Sequence, residues 1–398
     1  MIEILIPMTI GGVMATMFRT TGNRKKIETF FETRKICVDL KGRRLYPKFK
    51  KETTFTEKTV YHYRLPIGIP SKALEQFDET LSEGLGKPVT LKWDNYMLAI
   101  SVYKKKLEER IPFTGHMLRT NTWQVPIGMT VEGLVYHDFE QIPHITVSGT
   151  SGFGKTVLLK LVSSSLLASN PNHSVFYFID LKEKLEFHEW EELGQTKGVA
   201  GNPHEAHELL THIVQDMFNM IEYLREQRVT NISESDIKQR VFVFVDEAAE
   251  LTPHGSPKQK AMLRDCQFML SEIARLGRAI GYRLIFGTQY PTGDTLPRQI
   301  KQNADCKIGF RLPTQIASMV AIDEDGLERL PQIRGRAIMK TVTTTEMQVP
   351  YLSDTVMREL LQKHGIEREK NHEQPQASET NQEQAPQLRP IQDTVRLL

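Results

Sequence analysis

One glycine-rich stretch constrains this chain more than any other, the segment GTSGFGKT at residues 149–156. It fits the pattern G-x-x-x-x-G-K-[ST], which forms a phosphate-binding loop when a strand precedes it and a helix follows. Both flanks meet this condition, because residues 145–147 have the composition of a buried strand and residues 157–167 that of a helix. Backbone N–H groups at such a helix N-terminus bind anions. The segment therefore predicts a nucleotide site.

The last two residues of the loop have separate predicted roles. Lys155 would reach the β- and γ-phosphates of a nucleoside triphosphate, and the Thr156 hydroxyl would bind Mg²⁺. A glycine-rich turn that binds nothing is the alternative, and the flanking strand and helix argue against it. The predicted nucleotide-binding residues are Gly149, Thr150, Ser151, Gly152, Phe153, Gly154, Lys155, Thr156 and Val157.

A second motif follows about ninety residues later, where five apolar residues (241–245) precede Asp246 and Glu247. In open α/β sheets, ligands bind at the carboxyl ends of the strands, and both carboxylates would lie there. We expect Asp246 to bind Mg²⁺, directly or through water, and Glu247 to act as general base towards the attacking water. A general base indicates that the nucleotide is hydrolysed rather than only bound.

Four more side chains are candidates for the hydrolytic site. Gln289 ends a later predicted strand, where it could contact the γ-phosphate, and a turn or capping role is the alternative. An arginine finger, supplied in cis or by a neighbouring subunit, is a recurring part of such sites. Its candidates are Arg275, Arg278 and Arg311, and a surface ion pair is the alternative for each.

Apolar strand patterns alternate with amphipathic helices between residues 122 and 353. This alternation is typical of a mostly parallel α/β sheet, and together with the loop it predicts a P-loop NTPase fold with a RecA-like sheet. The predicted strands are 145–147, 175–179, 241–245, 283–286 and 306–310.

A small α+β domain is expected before this sheet. Its predicted parts are a strand at 60–69, a helix capped by Ser71 and closed by Gly86, and a hairpin of 89–93 with 96–102. The helix would bury Leu74, Phe77, Leu81 and Leu85 on one face. Residues 104–112 are interpreted as a linker, and residues 355–364 as a last helix. The predicted domains are an apolar segment (1–18), a basic segment with the α+β domain (19–112), a P-loop ATPase domain (122–353) and a disordered polar tail (365–398).

The N-terminal region combines an apolar run with a basic segment. Residues 4–18 carry no charge, and they are too few for a typical membrane-spanning helix, so membrane association and a buried strand both remain open. Residues 19–64 hold fourteen Lys and Arg against five Asp and Glu, with aromatic residues between them. That composition is typical of a nucleic-acid or anionic-lipid surface, or of a solvated face. The net charge of the whole chain, +2, does not discriminate between these partners.

The three cysteines, Cys37, Cys266 and Cys306, are far apart in the chain and form no C-x-x-C motif. This spacing argues against a disulfide framework or a zinc site. Free thiols suit the reducing cytoplasm, which is the predicted location.

Residues 143–340 resemble the FtsK/SpoIIIE-type DNA translocases. The resemblance is carried by Pro143-His144, Asp180-Leu-Lys182 with Glu186, Asp246-Glu247, Ala274-Arg-Leu-Gly-Arg-Ala-Ile-Gly281, Thr288-Gln-Tyr-Pro291 and Ile300-Lys-Gln-Asn303. Two positions depart from the family pattern, since Tyr290 stands where Arg is usual and Leu181 where Pro is common. The short N-terminal segment, and the residues Gly335-Arg-Ala337 near the end of the segment 143–340, are more similar to the conjugation-type branch of the family.

The resemblance implies a homo-hexameric ring that binds ATP and Mg²⁺ between subunits and encloses DNA. Its conjugation-type branch implies relaxase or transfer-channel partners and a location at the inner face of the cell membrane, with residues 1–18 as a candidate anchor. Two groups of residues are candidates for DNA phosphate contacts, and exposed loops without such a role are the alternative. They are His254, Lys258 and Lys260, on a predicted loop over 252–262, and Lys182 with Lys184.

These observations together predict an ATP-hydrolysing DNA translocase or coupling motor in conjugative or mobile-element transfer. Segregation of chromosomal or plasmid DNA is an alternative within the same class. From other classes, a protein-secretion ATPase and a nucleotide-dependent structural or tethering protein also remain open, although the general base disfavours a mere switch. Stimulation of ATP hydrolysis by DNA would separate them.

Overall fold

The computed structural model describes residues 22–70, 74, 77–94 and 97–367 of the chain. A four-stranded sheet comes first along the chain and a ten-stranded sheet follows it. The apolar segment 1–18, the expected cap Ser71 and the tail from 368 onwards lie outside the described residues.

The first unit, residues 22–103, is antiparallel. In chain order its elements are α1 (Asn23–Thr33), β1 (Val38–Leu40), β2 (Arg43–Leu45), β3 (Lys48–Thr54), β4 (Lys58–Arg64), α2 (Asp78–Leu85), β5 (Val89–Asp94) and β6 (Met97–Tyr103). The four-stranded sheet has the order β3-β4-β6-β5, and β1 pairs only with β2. Ile27 and Phe31 of α1 and Leu81 of α2 pack with Tyr63 and Ile100 of the sheet. This unit therefore has its own apolar core.

Two sequence predictions in this unit are confirmed and one is wrong in extent. The hairpin is present, with Val89 opposite Val102. Helix α2 ends at Gly86, whose φ of 64° is left-handed. The strand predicted over 60–69 instead ends at Arg64. Pro66 follows two residues later, and because proline has no N–H it cannot extend a strand ladder.

The second unit carries the large sheet. In chain order its elements are β7 (Gln124–Thr130), β8 (Gly133–Asp138), β9 (Ile145–Ser148), α3 (Lys155–Ser169), β10 (Ser174–Asp180), β11 (Thr196–Ala200), α4 (Pro203–Glu226), β12 (Arg240–Asp246), α5 (Pro257–Ile280), β13 (Tyr282–Thr288), α6 (Arg298–Asn303), β14 (Cys306–Phe310), α7 (Gln315–Ile322), β15 (Arg336–Lys340), β16 (Thr344–Gln348) and α8 (Asp354–His364).

The large sheet has the order β11-β10-β12-β13-β9-β14-β15-β16-β7-β8. From β11 to β14 every neighbouring pair is parallel, and from β14 to β8 every pair is antiparallel. All five predicted strands are present, as β9, β10, β12, β13 and β14. The predicted mostly parallel α/β fold is confirmed. The sequence did not predict the antiparallel extension beyond β14.

Both faces of the parallel part are buried. Phe242 and Phe244 of β12 contribute to the apolar cluster that contains α3 and α8. Val243 and Val245 of the same strand contribute to the cluster that contains α4 and α5. Because successive strand residues point to opposite faces, a strand covered on both sides reads as a continuous apolar run. This is why residues 241–245 carry no polar residue.

The predicted linker 104–112 lies against the large unit. The carbonyl oxygen of Ile111 accepts a 2.7 Å hydrogen bond from the Tyr351 N–H, and the Phe113 N–H donates to the Tyr351 carbonyl at 3.0 Å. Glu132, next to the β7–β8 turn, joins the two units, because it accepts hydrogen bonds of 2.7 Å from both the Tyr103 hydroxyl and the Lys92 ammonium.

The segment predicted as a disordered tail begins with paired residues. The Gly194 N–H donates a 2.6 Å hydrogen bond to the carbonyl oxygen of Ile366, and the Ile366 N–H donates to the Gln195 side-chain oxygen at 3.0 Å.

None of the helices within the described ranges 22–70, 77–94 and 97–367 is both long and apolar enough to cross a bilayer.

Candidate nucleotide site

The phosphate loop connects β9 to α3 at the carboxyl edge of the parallel strands. Strands β13 and β14 flank β9 and fix the loop, since Gly149 N–H donates to the Thr288 carbonyl at 3.3 Å and the Thr150 hydroxyl donates to the Arg311 carbonyl at 3.0 Å. Gly154 has a φ of 116°, and a Cβ there would lie 3.3 Å from the Gly335 Cα. A residue with a side chain would be strained in this conformation, so the loop requires glycine at this position.

Lys155, Thr156 and Asp246 lie together at the first turn of α3. The Lys155 ammonium donates to Asp246 Oδ1 in a short contact, and the Thr156 hydroxyl lies 3.5 Å from Asp246 Oδ2. All three line or adjoin one cavity, and Asp246 is 1% exposed. Burial lowers the pKa of Lys155 to about 8. Phosphate oxygens bound beside the ammonium would oppose that shift, because a nearby negative charge favours the charged form.

Glu247 occupies a constrained position directly after β12. Its φ of 61° is left-handed, which is uncommon for a residue other than glycine. Its carboxylate is buried, and Oε1 accepts a 3.3 Å hydrogen bond from the Gln289 N–H. Oε2 accepts no hydrogen bond from the described residues. Because no N–H or O–H group donates to this oxygen, it can accept a proton from a water molecule at the site.

Lys182 lies beside Asp246 and Glu247, whereas the sequence predicted that it contacts DNA. Its ammonium lies 3.9 Å from Asp246 Oδ2 and 3.9 Å from Glu247 Oε2. It also lines the cavity. Lys184 points elsewhere, because its ammonium pairs with Glu191 at 3.0 Å and Glu205 at 3.3 Å. The structure therefore places Lys182 at the candidate nucleotide site, beside the two carboxylates.

The cavity has a volume of about 610 Å³. One wall is formed by residues of the phosphate loop with Val157, Lys182 and Gln289. The rest of the lining was not predicted from the sequence, and it consists of Glu109, Arg110, Glu186, Gln332, Ile333, Arg334, Gly335, Gln348, Val349 and Tyr351. The Arg110 guanidinium lies over the Tyr351 ring, 4.4 Å from its centre. The expected linker therefore contributes two side chains to the site.

The predicted loop over 252–262 is only partly a loop. Helix α5 begins at Pro257, so Lys258 and Lys260 lie in its first turn, and the expectation of a loop there was wrong. The Ser256 hydroxyl accepts a hydrogen bond from the Gln259 N–H, and proline is favoured at the first helical position. His254 precedes the helix, and its Nδ1 lies 2.7 Å from the Thr252 carbonyl.

The three candidate finger arginines differ in their surroundings. Arg275 and Arg278 are exposed on α5, and Arg275 pairs with Glu272 on the preceding turn. Arg311 is half-buried, and its guanidinium donates to the Leu330 carbonyl in a short contact. Of these three arginines, Arg275 and Arg278 therefore have exposed side chains, and that of Arg311 is held against the chain.

The donor set of the site suits a magnesium ion. A hydroxyl and a carboxylate oxygen, those of Thr156 and Asp246, lie 3.5 Å apart beside the phosphate loop. Mg²⁺ binds oxygen ligands and is usually held by one or two protein groups together with substrate phosphates. These two residues therefore fit the ion.

A phosphate loop before a helix, an acidic strand end beside it and a buried carboxylate with one oxygen that accepts no hydrogen bond from the described residues define a P-loop nucleoside triphosphatase. Residues 114–239 match the model of the FtsK/SpoIIIE family. The matched segment contains the phosphate loop, and the match agrees with the family resemblance that the sequence motifs predicted.

Two curated relatives are both named DNA translocase FtsK. The protein from Streptococcus pneumoniae is 27% identical over 255 residues, which cover 59% of this chain and 32% of the relative. The protein from Staphylococcus epidermidis is 26% identical over 289 residues, which cover 67% of this chain and 34% of the relative. The chain thus spans about a third of the length of these relatives.

Solved structures show the same fold. The pCW3 conjugation coupling protein TcpA, solved with ATPγS, superposes with a TM-score of 0.62 at 23% identity, covering 86% of this chain and 99% of that one. The EssC protein from Geobacillus thermodenitrificans (ATPases 2 and 3) superposes with a TM-score of 0.56 at 17% identity, covering 65% of this chain and 51% of that one.

Proposed function

We propose that this chain is an ATP-driven motor that moves DNA during transfer of a mobile genetic element. The observation that carries the ATP part is that two lysines lining the cavity contact the two carboxylates, since Lys155 pairs with Asp246 and the Lys182 ammonium lies 3.9 Å from Glu247. The DNA part is supported by the family match and by relatives named as DNA translocases.

The chemical step is hydrolysis of the γ-phosphoryl bond of ATP. A water oxygen attacks the γ-phosphorus, and the bond from that phosphorus to the β–γ bridging oxygen breaks, with its electron pair leaving on ADP. Glu247 Oε2 accepts the proton that the water loses. Lys155 stabilises negative charge on the β- and γ-phosphate oxygens. The products are ADP, phosphate and the released proton.

Thr156 and Asp246 would hold Mg²⁺ at this site. When bound, the ion neutralises part of the charge on the phosphate oxygens. The phosphate loop orients the same oxygens through its backbone N–H groups at the start of α3.

The part of the cavity lined by Arg110 and Tyr351 is proposed to receive the base of the nucleotide. The Arg110 guanidinium lies over the Tyr351 ring, and both residues line the cavity. Aromatic rings and guanidinium planes both stack on bases. The backbone hydrogen bonds that Tyr351 makes with Ile111 and Phe113 hold this pair in place.

The start of α5 is proposed to grip DNA phosphates. Lys258 and Lys260 are exposed in its first turn, with His254 just before them, and no acidic residue lies in that turn. Cations are unfavourable at a helix N-terminus, because the helix dipole is positive there. The negative charge of nearby DNA phosphates would outweigh this repulsion between the lysines and the helix dipole. The segment is connected to Glu247 through the short helix Ala248–Leu251, so movement at the nucleotide site could reach it.

A homo-hexameric ring is part of the proposal. Arg275 and Arg278, exposed on α5, are the proposed source of an arginine that acts on the neighbouring subunit's ATP. The proposal includes a role in mobile-element transfer, with relaxase or channel partners at the inner face of the membrane. Two observations support this role: the residues Gly335-Arg336-Ala337 near the end of the family-like segment, and the extent of the likeness to TcpA.

The test is the ATPase rate of the full chain without DNA, with single-stranded DNA and with double-stranded DNA, each at low and moderate salt. We expect strong stimulation that weakens as salt rises, because phosphate contacts release counterions. The DNA form that stimulates more identifies the substrate. Turnover that no DNA form stimulates would contradict the DNA motor and favour the protein-secretion alternative, since the Type VII Secretion ATPase EccC of Thermomonospora curvata shares this fold.

A further inference from the structure

The sheet places Lys182 beside the hydrolytic carboxylates. Strands β10 and β12 are parallel neighbours, and Asp180 at the end of one is the register partner of Asp246 at the end of the other. The chain that leaves β10 therefore emerges next to Asp246 and Glu247. Two residues beyond Asp180, the Lys182 ammonium lies 3.9 Å from one oxygen of each carboxylate.

The loop that carries Lys182 is tightly held. The fully buried Asp180 carboxylate accepts hydrogen bonds from the N–H groups of Lys182 at 3.4 Å, Glu186 at 2.8 Å and Phe187 at 3.2 Å. Glu183 and Lys184 have φ values of 57° and 60°. Two successive left-handed residues that are not glycine are costly, and such strain concentrates at functional sites.

The Lys182 ammonium itself is less restrained than its backbone. Its side chain is 34% exposed, and distances of 3.9 Å to two carboxylates are too long for hydrogen bonds. The ammonium can therefore change partner without breaking a strong contact. Lys155, by contrast, is 5% exposed and donates directly to Asp246.

Two lysines and two carboxylates meet at the site before a nucleotide enters. Lys155 and Lys182 face Asp246 and Glu247. Burial is the main cause that lowers the pKa of Lys155, and the positive charge of Lys182 acts in the same direction. Two ammonium groups thus converge on the volume beside the phosphate loop, where the phosphates of a triphosphate would bind.

We propose that Lys182 is a second phosphate-facing cation that pairs with Glu247 in the empty site and with the γ-phosphoryl oxygens when ATP is bound. Its transfer leaves Glu247 Oε2 without a cation and ready to accept the proton of the attacking water. The ammonium then stabilises the charge that develops on the γ-phosphoryl group. This inference rests on the proposed ATP hydrolysis and not on the proposed DNA cargo.

The test compares Lys182→Ala and Lys182→Arg with the wild-type full chain, and uses Lys197→Ala as a matched control. Lys197 is exposed on the neighbouring strand β11, outside the cavity. The readouts are kcat and KM for ATP without DNA, the affinity for a fluorescent DNA duplex, and the thermal unfolding midpoint. We expect Lys182→Ala to lower kcat by about 100-fold, with much smaller changes in KM and DNA affinity. Lys182→Arg should recover part of kcat, and Lys197→Ala should match the wild type.

Wild-type kcat in Lys182→Ala would overturn the inference. Weaker DNA binding with unchanged kcat would also overturn it, and would return Lys182 to the DNA surface. The DNA motor can fail separately, since a wild type that hydrolyses ATP without stimulation by DNA still permits the comparison of Lys182 variants. A wild type with no ATP turnover under any condition would contradict both.

Discussion

The backbone N–H of Gly335 donates a 2.8 Å hydrogen bond to the carbonyl oxygen of Phe153. This bond ties the phosphate loop to the turn before β15, in the antiparallel part of the sheet. Gly335 has a φ of 84°, and its own carbonyl accepts a 2.8 Å hydrogen bond from the Val349 N–H. The shape of the loop therefore depends on a glycine almost two hundred residues away.

Gly335→Ala should weaken both the fold and nucleotide binding. A Cβ at this position would lie 2.6 Å from Gln348 Nε2, which donates to the Arg334 carbonyl at 2.7 Å. With the left-handed backbone added, we expect the free energy of unfolding to fall by about 1–3 kcal/mol. Urea unfolding and titration with a fluorescent ATP analogue measure the two effects.

Gly84→Ala is the control for this substitution. Gly84 lies in α2, and a Cβ there meets no atom within 4 Å. Alanine should leave nucleotide affinity unchanged and stabilise the helix by about 0.5–1 kcal/mol. Wild-type nucleotide affinity in Gly335→Ala would show that the turn does not shape the phosphate loop.

Lys155→Ala and Glu247→Gln should separate binding from hydrolysis. Lys155→Ala removes the cation of the phosphate loop, so we expect weaker ATP binding and no turnover. Glu247→Gln keeps the size of the side chain and removes the base, so ATP should still bind while kcat falls by at least about 100-fold. Equilibrium binding and steady-state kinetics test this, with circular dichroism to confirm the fold. Full ATPase activity in Lys155→Ala would contradict the proposed site.

Replacing both Lys258 and Lys260 by alanine should reduce the ratio of ATPase rates with and without DNA. The plot of log affinity for DNA against log salt should become shallower by about 1 for each lysine. Lys363→Ala, an exposed lysine in the last turn of α8, is the control. An unchanged salt slope would place the DNA contacts elsewhere.

Tyr351→Ala should raise KM for ATP and leave kcat nearly unchanged, because stacking on the base contributes equally before and during the chemical step. Loss of one base–aromatic stack costs about 1–3 kcal/mol, which corresponds to a rise in KM of about 5- to 150-fold. Tyr351→Phe keeps the ring and should behave like the wild type. A fall in kcat at constant KM would show that Tyr351 acts on the phosphates instead.

Two buried histidines should make the fold sensitive to acid. Burial lowers the pKa of His137 to about 4 and that of His144 to about 3. The unfolded chain titrates histidine near pH 6.5 and therefore binds protons first as pH falls. Their contribution to stability is complete above about pH 6.5 and is lost progressively towards pH 4, by at most about 1.4 kcal/mol per pH unit for each histidine.

His144→Asn tests this pH dependence. His144 Nδ1 accepts a 2.9 Å hydrogen bond from the Leu284 N–H, and the asparagine side-chain oxygen can replace that acceptor without titrating. The free energy of unfolding should then change less steeply between pH 6.5 and 4.5, whatever its value at pH 7. An identical slope in variant and wild type would show that His144 does not contribute.

The sequence was sufficient for the parts of the site that are local. The phosphate loop, the apolar strand before Asp246 and the helix after Lys155 are each specified by a continuous pattern of residues. The start of α5 was also recognisable, because Ser256-Pro257 is a standard helix beginning. It was missed because the glycine and prolines around it favoured a loop.

The parts that could not be predicted depend on strand order. Arg110, Gly335 and Tyr351 reach the cavity because β15 and β16 extend the sheet beyond β14, and no local pattern encodes that pairing. Lys182 was recognisable in principle, since it follows a predicted strand as Asp246 does. Its assignment to the nucleotide required knowing that β10 and β12 are neighbours.

We propose that ATP hydrolysis by this chain moves the protein along DNA. Displacement of a fluorescent third strand from a DNA triplex measures that movement directly, and Glu247→Gln is the matched control that binds ATP without hydrolysing it. We predict displacement by the wild type with ATP, and none with ATPγS or with Glu247→Gln. No displacement by a wild-type protein whose ATPase is stimulated by DNA would contradict translocation on duplex DNA.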